Sequence, residues 1–259
     1  MALLNDTVVL PDGLILCDEV DRDLLARADR FHANPQAPAL IEGETGTGKE
    51  LWARRLHHGG RPNREPFVAI NCAAISPGLF EAELFGYEEG AFSGAAAGGR
   101  PGKMSLAGDG TLFLDEVAEM PLEQQAKLLR ALESRTYFRV GGRELQHFTA
   151  RVICACNSDL YKQVKRGSFR QDLYYRLKVA QLRLRPLRQR RDSIPVLARS
   201  FTLRNYTDGL ASFDTIAEDG LEYLKHGEWP GNVRQLVHLI EEAGLLTTLP
   251  VLDKQTLVD

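Results

Sequence analysis

Cysteine is scarce: Cys17, Cys72, Cys154 and Cys156 are the only four in 259 residues, and they are scattered. Such sparse spacing excludes a disulfide-stapled framework. Cys154 and Cys156 have the spacing of one strand face, but no nearby Cys or His completes a metal set, so all four read as buried, reduced thiols. Long apolar runs are absent, and nothing approaches the length needed to span a bilayer. The first seventeen residues carry Asp6 and Asp12 and neither Lys nor Arg, which argues against a secretory signal. These absences predict a soluble, cytoplasmic protein with no membrane partner. An excess of positive charge is also missing. The net charge of -3 does not suit a chain that clamps nucleic acid along its whole surface, although a local basic patch is compatible with it.

No internal repeat or long low-complexity tract interrupts the chain. Its length suits one large domain or a domain with a smaller companion. Short apolar runs bounded by turn residues alternate with helical patterns, the signature of parallel βαβ units and an α/β class. Pro38–Gly43 reads as a strand entering a Gly-rich loop, and Lys49–His58 as a helix with Leu51, Trp52 and Leu56 on its inner side. Pro66–Ile70, Thr111–Leu114 and Ala150–Cys154 are further strand candidates. Leu122, Ala126, Leu129 and Leu132 have the spacing of an amphipathic helix. After Pro186 strand signals fade. Ile194, Leu197 and Phe201, then Leu236, Ile240 and Ala243, recur at helical spacing, which predicts a smaller helical subdomain over 188–259 behind an α/β subdomain over 1–187. The stretch 86–102 holds six glycines in seventeen residues, too many for a regular element, and predicts a functional insertion.

Gly43-Glu44-Thr45-Gly46-Thr47-Gly48-Lys49-Glu50 has the pattern of a phosphate-binding loop through its lysine. Glycines let backbone N–H groups curl around phosphate oxygens, and the helix that begins next, with Leu51 in its first turn, favours negative charge at its start. Lys49 would reach the β- and γ-phosphates. The hydroxyl residue that usually closes the motif and ligates magnesium is replaced by Glu50, whose carboxylate could hold the ion directly or through water. Thr111-Leu-Phe-Leu-Asp115-Glu116 places two acids after an apolar strand, at the carboxyl edge of the sheet. Asp115 would hold Mg2+ and Glu116 would polarise the attacking water. Two acids after a strand also serve as N-terminal charges of a helix, and it is the loop upstream that favours the catalytic reading.

With these residues in place, the sequence resembles the AAA+ ATPase domain of sigma-54-dependent transcription activators, from about Ala39 to Leu246. The P-loop ending in Glu is that family's variant. The most specific match is Gly90-Ala91-Phe92-Ser93-Gly94-Ala95, similar to the family's Gly-Ala-Phe-Thr-Gly-Ala loop, which contacts the sigma factor; serine stands here for threonine. The resemblance implies a RecA-like α/β subdomain followed by a helical lid, with ATP bound between them.

The resemblance also implies roles for single residues. Asn71 would restrain the catalytic glutamate, although by itself it reads as a strand-end cap for the next helix. Asn157 would touch the γ-phosphate or the attacking water, with Cys156 where the family usually has threonine. Arg170 and Arg176 fall in the segment that carries arginine fingers, which reach a neighbouring subunit's γ-phosphate; as bare residues they read as surface salt-bridge partners. Trp229-Pro-Gly-Asn-Val-Arg234 looks like the second sensor, with Arg234 facing the phosphates. Tyr137–Arg143 resembles a second loop that supports the first. The arginines between Arg183 and Arg191 alternate with leucines and read as a strand and an exposed linker.

The family resemblance implies an ATPase that forms a homo-oligomeric ring, a hexamer by resemblance, and remodels sigma-54 RNA polymerase holoenzyme. Another AAA+ remodelling ATPase would share the ATP site and lack the Phe92 loop. A nucleotide-dependent assembly regulator would tolerate loss of Glu116. The sequence has no room before Ala39 for a sensing domain and no helix-turn-helix signal after Leu246, so contact with enhancer DNA is expected only through a separate domain.

Overall fold

A computed structural model describes residues 8–61 and 64–258. Five strands, β1 (Ala39–Glu42), β2 (Phe67–Asn71), β3 (Thr111–Asp115), β4 (Arg151–Cys156) and β5 (Ala180–Arg183), form one parallel sheet in the order β5-β1-β4-β3-β2. β1 and β4 are buried along their whole length, which is why they read as continuous apolar runs and show no alternation. The described helices are α1 (Glu19–His32), α2 (Lys49–His58), α3 (Pro77–Phe85), α4 (Lys103–Ala107), α5 (Leu122–Ser134), α6 (Leu160–Lys165), α7 (Gln171–Leu177), α8 (Ile194–Thr207), α9 (Glu218–His226), α10 (Asn232–Leu246) and α11 (Lys254–Val258). The α/β architecture with a C-terminal helical lid is therefore as expected.

Contacts divide the chain into two units, and neither is a single continuous segment. Among the described residues, the α/β unit comprises Ala26–Gly43 and Lys49–Arg183; the other gathers residues 8–25, Glu44–Gly48 and residues 184–258. The expected division at 187/188 falls near the Arg183/Leu184 boundary, and the contacts add earlier segments to the helical unit. Ile15 and Cys17 pack on the helical core built from Leu197, Phe213, Leu236 and Ile240, so the segment around them joins the lid. The lid also contains one short parallel strand pair, Thr215–Ile216 with Val251–Leu252, where strand signals had faded.

Two helix faces differ from expectation. Leu51 is 41% exposed, so the inner side of α2 is Trp52, Ala53 and Leu56 without it. On α5, Leu122 is exposed and Gln124 and Gln125 are buried beside Leu128, Leu129 and Leu132. Hydrophobic periodicity cannot show this, because it counts glutamine as polar. Gln125 is tolerated inside because its amide is fully engaged. Nε2 donates to the carbonyls of Met120 (2.8 Å) and Ser168 (3.1 Å), and Oε1 accepts the N–H of Arg170 at 2.8 Å.

At the opposite end of the sheet from the acids, Arg151 is buried at the start of β4. Its guanidinium donates to Leu56 O (2.8 Å) and Phe31 O (2.9 Å) near the C-termini of α2 and α1. Those helix ends offer carbonyls that lack an intrahelical partner, together with partial negative charge, which hold the cation without a carboxylate. Burial still pushes its pKa down to about 10.

Candidate functional site

The register of the sheet brings the polar strand ends together. Asn71 pairs with Asp115 across β2 and β3, and Cys156 pairs with Glu42 across β4 and β1. Gly43 continues from β1 and donates its N–H to Cys156 O at 3.2 Å, and α2 begins at Lys49. The strand, Gly-rich loop and helix expected from the sequence are all present. Gly46 and Gly48 have φ of 80° and 94°, in the region that L side chains rarely adopt. Thr47 is buried, and its hydroxyl donates to Glu44 O at 2.7 Å, which ties the loop to itself.

Lys49 is buried within the α/β unit. Its Nζ donates to Gly43 O at 2.9 Å and lies 3.7 Å from Glu116 Oε1. The second carboxylate oxygen of Glu116 accepts the backbone N–H of Asn157 at 3.1 Å. Asn157 thus meets the catalytic candidate through its main chain. Glu116 has φ 50°, a left-handed conformation rare for a non-glycine residue, and such strain gathers at functional sites. Burial raises its pKa above the ordinary carboxylate range, with Lys49 opposing and Asp115 adding to the rise. A carboxylate of raised basicity, fixed by a cation and an N–H, is equipped to take a proton from water. Asp115 Oδ1 accepts the N–H of Glu116 at 3.0 Å, which orients its carboxylate at the strand end.

Magnesium bound with a nucleotide keeps several waters and takes one or two protein carboxylates, so Asp115 alone fits that requirement. Glu50 is placed differently: it is more than half exposed, and its Oε1 accepts from Arg54 Nε and Nη2 at 3.0 and 2.7 Å, a surface pair one helical turn away. Among the described residues, no group of three His, Cys, Asp or Glu could enclose a metal by itself. Burial pushes the Cys72 and Cys156 thiols up to about 12, so they stay protonated and weakly reactive.

Asn71 Oδ1 accepts the N–H of Ala73 at 2.9 Å, the helix cap that its position at a strand end suggests. Arg170 is exposed and its guanidinium is held by Asp172, with Nη2 at 2.6 Å from Oδ2. Arg176 is half-buried. Its Nη2 donates to Leu132 O at 3.0 Å, and its buried Nε has no partner among the described residues. Arg234 is exposed in the first turn of α10, and its N–H donates to Gly46 O at 3.3 Å.

The glycine-rich stretch is a narrow excursion from the α/β unit. Gly86–Tyr87 pairs antiparallel with Arg100–Pro101 at its base. A Cβ on Gly102 would lie 2.2 Å from Gly86 N, so the two strands close only because both positions are glycine. Above this base Phe92 is 38% exposed, and its ring meets Tyr87 edge-on at 5.0 Å between centroids. Ser93 and Gly94 are exposed beside it.

Residues 15–183 match the family described as the sigma-54 interaction domain, and 188–259 match the AAA+ ATPase lid domain. The chain belongs to the sigma-54 interaction domain family. It is 45% identical to the regulatory protein AtoC of Escherichia coli (strain K12) over 222 residues, covering 86% of this chain and 48% of AtoC. It is 43% identical to the formate hydrogenlyase transcriptional activator FhlA of the same strain over 255 residues, covering 95% of this chain and 37% of FhlA. The chain thus spans less than half the length of these curated relatives. The crystal structure of NtrX from Brucella abortus in complex with ATP superposes with a TM-score of 0.83 at 32% identity, covering 94% of this chain and 53% of that one.

Within this sigma-54 interaction domain, the hairpin formed by Thr136–Phe138 and Leu145–His147 carries the second loop against the first. Glu88 N donates to Val140 O (3.0 Å), Val140 N to Gly86 O (2.9 Å), and Arg139 pairs with Glu88 at 3.2 Å. A Cβ on Gly141 would lie 3.0 Å from Ala91 Cβ, so the hairpin approaches the Phe92 loop closely. Sequence reasoning missed Gln125, which holds the backbone of Arg170 and stands in no pattern that marks it, and assigned no role to Asn232, which lies inside the Trp229–Arg234 motif and meets the phosphate loop. The five arginines from Arg183 to Arg191 each face a carboxylate: Glu42, Asp18, Glu44, Asp21 and Glu228 in turn. The charge of each is thus matched by a carboxylate among the described residues.

Proposed function

We propose that this chain binds ATP at Gly43–Leu51, hydrolyses it, and uses the loop Gly90–Ala95 to remodel sigma-54 RNA polymerase holoenzyme. The observation that carries this reading is Glu116, held by Lys49 and the Asn157 N–H in the same α/β unit that projects the exposed Phe92. Backbone N–H groups of the phosphate loop cradle the phosphates, and Lys49 neutralises charge on the β- and γ-groups. Glu116 accepts a proton from the attacking water as its oxygen bonds to the γ-phosphorus and the bond to the β-phosphate oxygen breaks, giving ADP and phosphate. Asp115 would hold Mg2+, which supplies positive charge to the phosphates when bound, with Glu50 at most reaching it through water.

Asn157 senses the γ-phosphate and passes its loss to Glu116, and Asn71, in register with Asp115, links the same edge to α3 and the Phe92 loop. Arg234 faces the phosphates from α10. Arg170 and Arg176 act on a neighbouring copy's nucleotide, which requires a homo-oligomer, a hexameric ring by family resemblance. Enhancer DNA would be reached through a domain outside these residues.

The test is capture of purified sigma-54 in the presence of ADP and a metal fluoride, which mimics the transferring phosphoryl group. Wild type should capture it. Phe92→Ala should lose capture and keep ATPase turnover, and Ser93→Thr should retain or strengthen capture. Failure of the wild type to capture sigma-54 while still hydrolysing ATP would leave a nucleotide-dependent assembly regulator as the better account.

A further inference from the structure

Glu44 places a negative charge inside the loop that is read as the phosphate cradle, and an anion-binding loop should not carry one uncompensated. The structure answers that charge. Arg188 grips the Glu44 carboxylate with both terminal nitrogens, Nη1 to Oε2 and Nη2 to Oε1, each at 2.6 Å. Glu44, Arg188 and Asn232 all lie in the unit that gathers Glu44–Gly48 with the C-terminal residues. We propose that Arg188 is a positioning residue for nucleotide: it neutralises and fixes Glu44 so that the phosphate loop accepts a triphosphate.

The inference rests on the nucleotide reading of Gly43–Leu51. An exposed ion pair would normally contribute little. This one is set in a built frame. Asn232 is fully buried, and its Nδ2 donates to Thr45 O at 3.0 Å and to Glu44 Oε2 at 3.3 Å. Its Oδ1 accepts the N–H of Leu187, the residue before Arg188, at 2.7 Å. One amide therefore joins the phosphate loop to the segment that carries the arginine. Asn232 holds φ 52°, a conformation asparagine tolerates better than most residues.

The next carbonyl, Gly46 O, accepts from Arg234 N, and a Cβ on Gly46 would stand 2.1 Å from Gly231 O. A loop that offers N–H groups to an anion must turn its carbonyls elsewhere. Here two successive carbonyls, those of Thr45 and Gly46, are turned onto the start of α10. Arg188 also holds the Glu44 carboxyl below its ordinary range, so that carboxylate is charged at neutral pH and its neutraliser matters.

Charge compensation predicts a signature that mere bracing does not. An unneutralised carboxylate repels a triphosphate more than a diphosphate, and the repulsion is screened by salt. Equilibrium affinities for ATP and ADP should be measured in the Glu116→Ala background, with Lys49→Ala as the non-binding control. Arg188→Ala should weaken ATP binding about tenfold and ADP binding about threefold, with a smaller loss at high salt. Arg188→Lys should retain most of the affinity, and adding Glu44→Gln to Arg188→Ala should restore ATP binding towards the parent value. Equal losses for ATP and ADP with no restoration by Glu44→Gln would overturn charge compensation, as would no loss at all. Thermal melting of each variant shows whether a loss reflects unfolding. If the parent protein binds neither nucleotide, the nucleotide reading itself falls and takes this inference with it.

Discussion

The carboxyl edge of the sheet and the Phe92 loop lie in the same unit and are held in opposite ways. At the edge, almost every polar atom is answered: Lys49 by Gly43 O and Glu116, Glu116 by Asn157 N, and Asp115 by the N–H that follows it. The loop is fixed at its base by Gly86 and Gly102 and braced by Val140 and Arg139, but its tip carries a partly exposed aromatic ring that meets Tyr87 edge-on. Chemistry on a phosphoryl group depends on preorganised charge, which tolerates little displacement. A contact with a partner needs apolar surface that the fold has not already covered. The same unit supplies both because strand ends fix polar groups, while an insertion can leave the core and return through a glycine neck.

The largest effects should come from breaking the fixed edge. Lys49→Ala should abolish ATP binding, and Glu116→Ala should keep binding while lowering turnover by about 100-fold or more, which paired affinity and rate measurements would separate. Normal turnover in Glu116→Ala would show that the catalytic acid is elsewhere. Glu116 must be deprotonated to accept a proton, and its pKa is raised. Turnover should therefore begin to fall, as pH drops, at a pH above the ordinary carboxylate range, and in step with the Glu116 titration.

A second variant reaches the edge from behind. Arg151→Met removes the donor shared by Leu56 O and Phe31 O and leaves the first to the His32 ring and the second to the Asn34 N–H. The expected loss is about 2 kcal/mol of stability, read from urea unfolding, because relief from burying a charge offsets part of the lost hydrogen bonding.

The loop should respond more locally. Gly99 has φ 69°, and a Cβ there would lie 2.4 Å from Tyr87 O. Gly99→Ala should cost about 1–3 kcal/mol of local strain and speed proteolytic cleavage over 88–99 while ATP affinity stays unchanged. The smallest effect is Phe92→Ala on stability, expected below about 1 kcal/mol by urea unfolding, since the ring is already 38% exposed. A much larger loss would mean that Phe92 is a core residue and that the contrast between edge and loop is false.

Much of this arrangement was legible in the sequence because it is local. The loop from Gly43 to Lys49 needs glycine at positive-φ positions, and those glycines are visible as a pattern. The strands are apolar runs because both faces of a parallel sheet are covered, and α2 was readable to its last residue. What was not legible depended on distant partners. Leu51 looked inward by spacing, yet the core stops at Trp52 and Ala53. Gln125 looked outward by polarity, yet the Met120 carbonyl nearby and two backbone groups far along the chain, at Ser168 and Arg170, satisfy it. The arginines near Arg188 offered no sign of their acids; Asp18, for one, lies 167 residues from Arg185 in sequence.

The sequence by itself determined the strands of the main sheet, the Gly-rich loop and the helix after it, the two acids after β3 and the glycine-rich insertion, because each follows from backbone sterics and side-chain periodicity over a few residues. Only the tertiary structure decided which carboxylate meets which cation. Glu116 faces Lys49 because β3 and β1 flank β4 in one parallel sheet, and Glu44 faces Arg188 because Asn232 joins the phosphate loop to Leu187. Pairings of this kind are set by strand order and packing, and nothing in the residues close by in the chain encodes them.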